Sequence, residues 1–227
     1  MGKNKPLKIT AFMLDGRINS SDGILMFDAI LYHAWFFKYA PQVFNGMGDN
    51  HFHKHIGLPL EKTADNRYCA SRGIYKETGK TVEYFHKRPN FFNSDKIDKL
   101  NINKGIICES AGEYRAYRVP QVIRTIENGM IDFYAIGNPE KIEDLLNRIS
   151  AVGKKPICGY GIVKKWVIEE IDQDYTLFHS KYGLMRPVEV GGYEDNGKYS
   201  DYPIMQYAIK PPYWKVKNMR LCYVPIR

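Results

Sequence analysis

The stretch GKKPICGYG at residues 153–161 decides how the middle of the chain is predicted to fold. Before it, over residues 139–150, apolar residues recur at intervals of three and four, which is typical of the buried side of a helix. After it, residues 162–171 are rich in β-branched and aromatic side chains and read as a strand. Nucleotide-binding loops run in the opposite order, from strand through glycine turn to helix. The stretch, named here the glycine corner, is therefore predicted to close a helix-to-strand turn.

Basic and aromatic residues surround this corner, namely Lys154, Lys155, Tyr160, Lys164 and Lys165. Two interpretations are open. In the first, the glycines serve only the tight turn, whatever binds there. In the second, small residues let a polyanion approach the backbone while the ammonium groups neutralise its phosphates. We favour the polyanion interpretation because the lysines are concentrated on both sides of the turn.

Composition indicates a folded, basic protein. The chain has 227 residues, 44% of them hydrophobic, and its 33 Lys and Arg exceed its 25 Asp and Glu to give a net charge of +8. This excess is compatible with a nucleic-acid partner, and 17 Tyr and 11 Phe offer rings that could stack on bases. The four cysteines are scattered, and the longest apolar run, residues 24–39, is interrupted by charges. We expect a cytoplasmic protein without membrane span, metal or cofactor.

The first part of the chain is predicted to form a strand, a helix and a long insertion. Residues 7–14 alternate as a strand does, and Asp22 is expected to cap the helix that follows and ends before Pro41. From 41 to 66 the sequence loses periodicity and becomes rich in Gly, Asn, Asp, His and Pro. We interpret 41–66 as an insertion.

Further strands are predicted on both sides of a second helix. Residues 72–75 and 81–85 are expected to form a hairpin with its turn at 78–80, and strands are expected at 114–119 and 130–136. Asn138 is a suitable cap for the helix over 139–150, with Pro139 in its first turn.

Two strand-helix-strand units result, and they predict an α+β fold with one or two ferredoxin-like (RRM-like) units of the βαββαβ type. Residues 172–227 are punctuated by Pro and Gly and are expected to form an irregular C-terminal extension of the same domain, which spans residues 1–227.

Histidines offer two weaker hypotheses. His51, His53 and His55 alternate and could share a metal, lie on phosphates, or simply belong to a solvated loop, which we favour. His33 could act as a general base in RNA cleavage, although a half-buried helix histidine is the plainer interpretation.

The segment KPPYWK at 210–215 could likewise present an aromatic ring to a base. A structural strut, in which the prolines fix the backbone and the rings pack, is the interpretation that we favour.

The motifs together resemble a known family. They are Ala70-Ser71 before a basic strand, Gly137-Asn138-Pro139 before the helix with Leu145-Leu146, the glycine corner followed by Lys165-Trp166, and PPYW at 211–214. This pattern resembles the RAMP superfamily of CRISPR-associated proteins, and within it the five-type Cas (Cas5-like, Csf3-type) subunit of type IV effector complexes. The resemblance covers most of the chain and is strongest over residues 130–171 and in the tail motif.

The resemblance implies a noncatalytic subunit that binds the 5′ handle of the guide (CRISPR) RNA and caps a filament of backbone subunits. Its implied partners are that RNA, the backbone and large subunits, and target DNA through the complex. The insertion at 41–66 would be a thumb-like element. Some relatives process precursor CRISPR RNA as metal-independent endoribonucleases, which leaves His33 as an alternative catalytic candidate. The expected RNA-binding residues are Gly153, Lys154, Lys155, Gly159, Tyr160, Gly161, Lys164, Lys165, Trp166, Arg72, Lys87 and Arg88.

Overall fold

The computed structural model describes residues 3–41, 56–87 and 117–226, and all the strand pairs in this part of the chain are antiparallel. Together with its two α-helices, this gives the mixed architecture that is consistent with the predicted α+β class. Within the same residues, no helix is long and apolar enough to cross a membrane.

The central sheet has three strands, β1 (Lys5–Met13), β5 (Met130–Gly137) and β6 (Val163–Glu170), in the order β5-β1-β6. Ile9 of β1 lies opposite Phe133 on one side and Ile168 on the other. Alternate residues of β1 and β5 are fully buried on the same face of the sheet, as the two-residue period of a strand requires. The three strands predicted at 7–14, 130–136 and 162–171 are therefore confirmed.

Two helices cover the apolar face of this sheet, α1 (Phe27–Tyr39) and α2 (Pro139–Leu146). The predicted cap of α2 is confirmed, since the Asn138 side-chain oxygen accepts a hydrogen bond from the backbone N–H of Lys141 at 2.9 Å. The helix ends at Leu146, earlier than the predicted end at residue 150. Ile149 nevertheless remains buried in the core, which explains why the apolar period continued past the helix.

The predicted cap of α1 is wrong. Helix α1 begins at Phe27, and its capping position is Met26, which makes no side-chain cap hydrogen bond. Asp22 lies too early in the chain and instead accepts hydrogen bonds from the backbone N–H of Ile24 and the hydroxyl of Ser20, both at 3.2 Å. It thus shapes the turn before the helix.

A second sheet contains β2 (Arg17–Asn19), β3 (Glu77–Lys87) and β4 (Tyr117–Ile126) in the order β2-β4-β3. Strands β3 and β4 pair along their whole length, from Glu77 opposite Ile126 to Lys87 opposite Tyr117. They form a two-stranded extension that we call the β-ribbon. The strand predicted at 114–119 therefore continues to Ile126, and its residues 114–116 lie outside the described part of the chain.

The predicted hairpin of 72–75 with 81–85 is wrong. Residues 78–80 do not form a turn but lie inside β3, where the register shift between Glu77 and Gly79 leaves Thr78 as the extra residue of a bulge. Residues 72–75 instead lie alongside β5. The backbone of Ile74 exchanges two hydrogen bonds with that of Asp132, at 2.7 and 2.9 Å. The pairing partners of both segments are remote in sequence.

The C-terminal region contains short strands that form two small sheets. One sheet is the pair β7 (Phe178–His179) and β8 (Gly183–Leu184). The other orders β9 (Val188–Glu189), β10 (Ile204–Ala208) and β11 (Met219–Tyr223) as β10-β11-β9.

A buried charge cluster fixes this region to the rest of the protein. Arg67 and Arg186 are 1% and 5% exposed, and both guanidinium groups contact the buried carboxylate of Glu194. Arg186 also donates to the carbonyl of Tyr68 at 2.5 Å. Because a buried charge without its partner is costly, the cluster ties residues 67–68 to residues 186–194.

Part of the predicted insertion at 41–66 belongs to the core. Leu58 and Leu60 are buried, and Leu60 forms a β-bridge with Gly137. The histidines at 51, 53 and 55 lie outside the described residues, so the hypotheses on them stay predictions.

The segment KPPYWK joins the C-terminal region to helix α1. Tyr213 donates its hydroxyl to the carboxylate of Asp28, with distances of 2.8 and 3.0 Å to the two oxygens. Asp28 is 3% exposed, and burial raises its pKa to about 7 against the hydrogen bond from Tyr213, which lowers it. Trp214 is 69% exposed. The strut interpretation therefore holds for Tyr213.

We expect Asp28→Asn to change how stability depends on pH. Between the pKa of an unfolded aspartate, about 3.9, and the folded value near 7, the unfolded chain releases a proton that the folded chain keeps. The wild type therefore loses stability as pH rises through this window, at up to about 1.4 kcal/mol per pH unit. The Asn variant lacks this loss, so its free energy of unfolding should rise relative to that of the wild type from pH 4 to 7. Urea unfolding at a series of pH values measures this difference. Asp201→Asn, at an exposed carboxyl, is the control that should follow the wild type, and parallel curves for Asp28→Asn would contradict the argument.

Candidate nucleic-acid interface

The glycine corner contains one 3₁₀ turn, Pro156–Cys158, and residues with left-handed backbone conformations lie on both sides of it. Gly153, Gly159 and Gly161 have φ angles of +90°, +85° and +76°. Lys155 also adopts a positive φ, +53°, although it has a side chain. Positive φ angles favour glycine, which occupies three of these positions, whereas the fourth position is occupied by a lysine.

Backbone hydrogen bonds fix the corner on strand β2. Lys154 donates its N–H to the carbonyl of Asn19 at 2.8 Å, and Gly161 donates to that of Arg17 at 2.7 Å. Val152 in turn donates to the carbonyl of Gly161 at 2.9 Å. Added side-chain atoms at Gly153 or Gly161 would collide with the carbonyl oxygens of Asn19 or Val152. The corner is therefore held at both of its ends.

The two lysines of the corner are exposed and rest on uncharged groups. Lys154 donates its ammonium to the hydroxyl of Ser21 at 2.8 Å. The ammonium of Lys155 lies 4.3 Å from the ring centre of Phe85, on the β-ribbon. Ile157, which follows the two lysines, is 90% exposed. The corner thus presents cations and an aliphatic tip next to the β-ribbon.

Tyr160 bridges the corner to the β-ribbon. Its hydroxyl bonds to the carboxylate of Glu83, and the Arg17 guanidinium lies 5.2 Å from its ring centre. The hydrogen bond to Glu83 is the main reason that the pKa of Tyr160 is raised, so the phenol is neutral at physiological pH. The ring is therefore positioned by a ribbon residue and a residue of β2.

The residues predicted on β6 divide between two environments. Lys164 and Lys165 are exposed, and the Lys165 ammonium lies 4.5 Å from the ring centre of Phe12. Trp166 is half-buried against the core, and its ring N–H donates to the carbonyl of Ile149 at 3.2 Å. Lys164 is the extra residue of a bulge opposite β1, which explains why two successive lysines are both exposed.

The family model of CRISPR type IV associated protein Csf3 matches residues 5–225 of the chain. The chain belongs to the Csf3 family. This confirms the resemblance to a Csf3-type subunit of type IV systems and makes the protein a type IV CRISPR-associated subunit. None of the curated proteins that were compared matches the chain.

Three other predicted residues of this Csf3 family member lie outside the corner. Arg72 is buried and donates to the carbonyls of Ile226, at 3.1 Å, and Leu184, at 3.4 Å. Lys87 ends strand β3, and its side chain is outside the described part of the structure. Arg88 lies outside the described residues altogether.

The β-ribbon was the feature that sequence reasoning missed. On one of its faces Arg118 stacks on Tyr84, with 3.6 Å from the guanidinium carbon to the ring centre, and Val82 beside them is 53% exposed. The other face carries Glu83 and Phe85 and meets the glycine corner. Alternation within each strand was visible in the sequence, but their pairing across residues 88–116 was not.

His33, the alternative catalytic candidate, lies on the exposed side of α1 with its ring 5.0 Å from that of Phe37. Desolvation lowers its pKa, which favours the neutral imidazole. Among the described residues, no group of three His, Cys, Asp or Glu side chains is placed to hold a metal ion.

We expect Gly161→Ala to destabilise the protein more than Gly159→Ala. Both positions have positive φ, which costs an alanine about 1–2 kcal/mol. At Gly159 the added atom would meet nothing, whereas at Gly161 it would collide with the carbonyl of Val152. Relieving that collision must disturb the backbone bond between Val152 and Gly161. Urea unfolding should give the Gly161 variant an additional loss of about 1–3 kcal/mol. Equal losses at the two sites would mean that the corner is not fixed at this point.

Proposed function

We propose that this Csf3 family member is a noncatalytic RNA-binding subunit of a type IV effector complex. It would hold the 5′ handle of the guide RNA and cap the filament of backbone subunits. The observation that carries the proposal is the pair of exposed lysines, Lys154 and Lys155, on a glycine corner that is fixed against strand β2 and the β-ribbon.

Charge at the corner supports a polyanionic ligand. Lys154, Lys155 and Lys165 rest on a hydroxyl and two aromatic rings, none of which carries a charge. These contacts position the side chains without cancelling their positive charge. By contrast, the less exposed Lys38 forms an ion pair with Asp144. The lysines near the corner are thus suited to phosphate groups.

Single-stranded RNA also suits the aromatic content of this surface. Tyr160 is held at the corner, and Tyr84 with Arg118 lies on the β-ribbon. Unpaired bases stack on such rings and on guanidinium planes, whereas a duplex keeps its bases stacked inside. We therefore propose that the corner contacts the handle backbone and that nearby rings contact unpaired bases.

The arrangement of the core supports the finer fold assignment, a ferredoxin-like RAMP unit. Along the chain, β1 and α1 are followed by residues 69–74, which bond to the free edge of β5, and then by β5, α2 and β6. In the resulting order, β6-β1-β5 and then 69–74, the segment 69–74 takes the position of the second strand of a βαββαβ unit. We propose that these elements form the RRM-like unit and that the β-ribbon is an addition to it.

The partners follow from this role. Backbone and large subunits of the complex would surround the chain, and target DNA would reach it only through the complex. Sequence recognition would be delegated to pairing between guide and target, with protein contacts directed at the nucleic-acid backbone.

We expect the double variant Lys154→Ala/Lys155→Ala to bind handle RNA more weakly and with less dependence on salt. Each lost contact between a lysine and a phosphate of a single strand should reduce the slope of log affinity against log salt by about 0.7. Fluorescence anisotropy with a labelled repeat RNA, measured over a series of salt concentrations, gives both quantities.

The matched control is Lys141→Ala/Lys198→Ala, which removes the same charge from α2 and from the C-terminal region. It should retain the wild-type slope. An unchanged affinity and slope in the corner variant, with its unfolding curve intact, would remove the assignment. The same RNA incubated in chelator tests the endoribonuclease alternative, since the noncatalytic role predicts intact RNA and the alternative predicts cleavage that is lost in His33→Ala.

A further inference from the structure

A cavity of about 650 Å³ lies between residues 72–77 and the C-terminal region, and it shares no lining residue with the glycine corner. Its lining combines aromatic rings with cations. The residues that matter for its chemistry are Tyr75, Tyr182, Tyr202, Arg72, Lys76 and Lys181. A cavity of this size is typical of small-molecule sites.

The tyrosines are fixed by hydrogen bonds or ring contacts. Tyr75 donates its hydroxyl to the carbonyl of Gly23 at 2.7 Å, and the hydroxyl of Tyr202 accepts from the N–H of Leu184 at 3.0 Å. The ring of Tyr182 lies 4.7 Å from that of His179. Because these rings are already ordered, the protein loses little side-chain entropy when a planar ligand packs on them.

Positive charge dominates the remaining lining. Arg72 is 9% exposed, and its guanidinium group donates to the carbonyls of Leu184 and Ile226 at the wall of the cavity. Lys181 is exposed, with its ammonium 5.2 Å from the Tyr182 ring centre. Lys76 pairs with Glu127 at 2.7 Å, but both side chains are largely exposed, and such pairs are weak and exchange easily.

The acidic group in the lining is already neutralised. The carboxylate of Glu77 contacts the guanidinium of Arg124, which is 1% exposed and also donates to the carbonyls of Ser20 and Ser21. Glu77 is therefore committed to a structural ion pair with Arg124 and does not offset the charge of Lys181. Aromatic walls with an excess of positive charge suit a ligand that has both a planar ring and an anionic group.

We propose that this cavity binds one nucleotide, with its base against the tyrosine rings and its phosphate near Lys76 and Lys181. The same chemistry is offered by a free mononucleotide and by an unstacked nucleotide of an RNA strand. The proposal does not rest on RNA binding at the glycine corner, because it concerns different residues and can be measured with a mononucleotide alone.

The test is displacement of a fluorescent AMP derivative from the purified chain, followed by polarisation. We expect AMP to displace it at a concentration about tenfold lower than adenosine or inorganic phosphate, because each of these lacks one half of the recognised group. Lys76→Ala/Lys181→Ala should reduce the preference for AMP over adenosine, and Tyr182→Leu should weaken both ligands. Lys198→Ala/Lys217→Ala, at exposed positions outside the cavity lining, should bind as the wild type does.

A short RNA identifies the source of the nucleotide when it is added as a competitor to the Lys154→Ala/Lys155→Ala protein. Displacement by RNA indicates a nucleotide of a strand, and displacement by AMP alone indicates a free mononucleotide; both support the site. The proposal is overturned by equal potency of AMP and adenosine, by the absence of saturable binding at millimolar AMP, or by wild-type binding in a folded Lys76/Lys181 variant. If a variant does not fold, the order of the three competitors on the wild type still decides.

Discussion

Strand β1 is hydrogen-bonded along both of its edges, and the rest of the structure depends on this double pairing. Because β5 and β6 both run antiparallel to β1, they run parallel to each other and are separated by its width. Parallel strands need a crossover connection. Helix α2 provides it over the apolar face, and the glycine corner then turns the chain into β6. The corner is thus a topological requirement of the sheet before it is a binding surface.

The position of the glycine corner in the sheet also explains where the exposed lysines lie. The corner bonds to β2, and β2 bonds to β4, so a series of backbone hydrogen bonds holds the β-ribbon beside the corner. Lysine side chains near this junction are then free to rest on rings and a hydroxyl. The cation–π contacts cost the ammonium groups little hydration at an exposed site. The protein combines a rigid frame with charges that remain available to a ligand.

Local patterns in the sequence predicted the local parts of the fold. The apolar period and the Asn138 cap identified α2, and the alternation of short segments identified β1, β5 and β6. The β-ribbon and the path of residues 72–75 depend on pairing between segments that are distant in sequence, and no local pattern encodes that pairing. The buried cluster of Arg67, Arg186 and Glu194 was invisible for a related reason, since charged residues are usually at the surface.

The candidate site was predictable to a similar degree. The sequence brought Lys154, Lys155 and Tyr160 together because they share one short turn, and the structure places them at the same corner. It could not show that Tyr160 would be bound by Glu83 of the β-ribbon. Nor could it show that Arg72 would be buried against two C-terminal carbonyls, because those carbonyls become its neighbours only in the folded chain.

Lys155 has a thermodynamic meaning of its own. A residue with a side chain in the left-handed region is less stable there than glycine would be, by about 1 kcal/mol, yet the chain has lysine at this position. Folding stability alone would therefore favour glycine at residue 155. At this one residue, the backbone conformation favours glycine, whereas the positive charge requires lysine. A single substitution of Lys155 by glycine would therefore raise folding stability while it removes the charge.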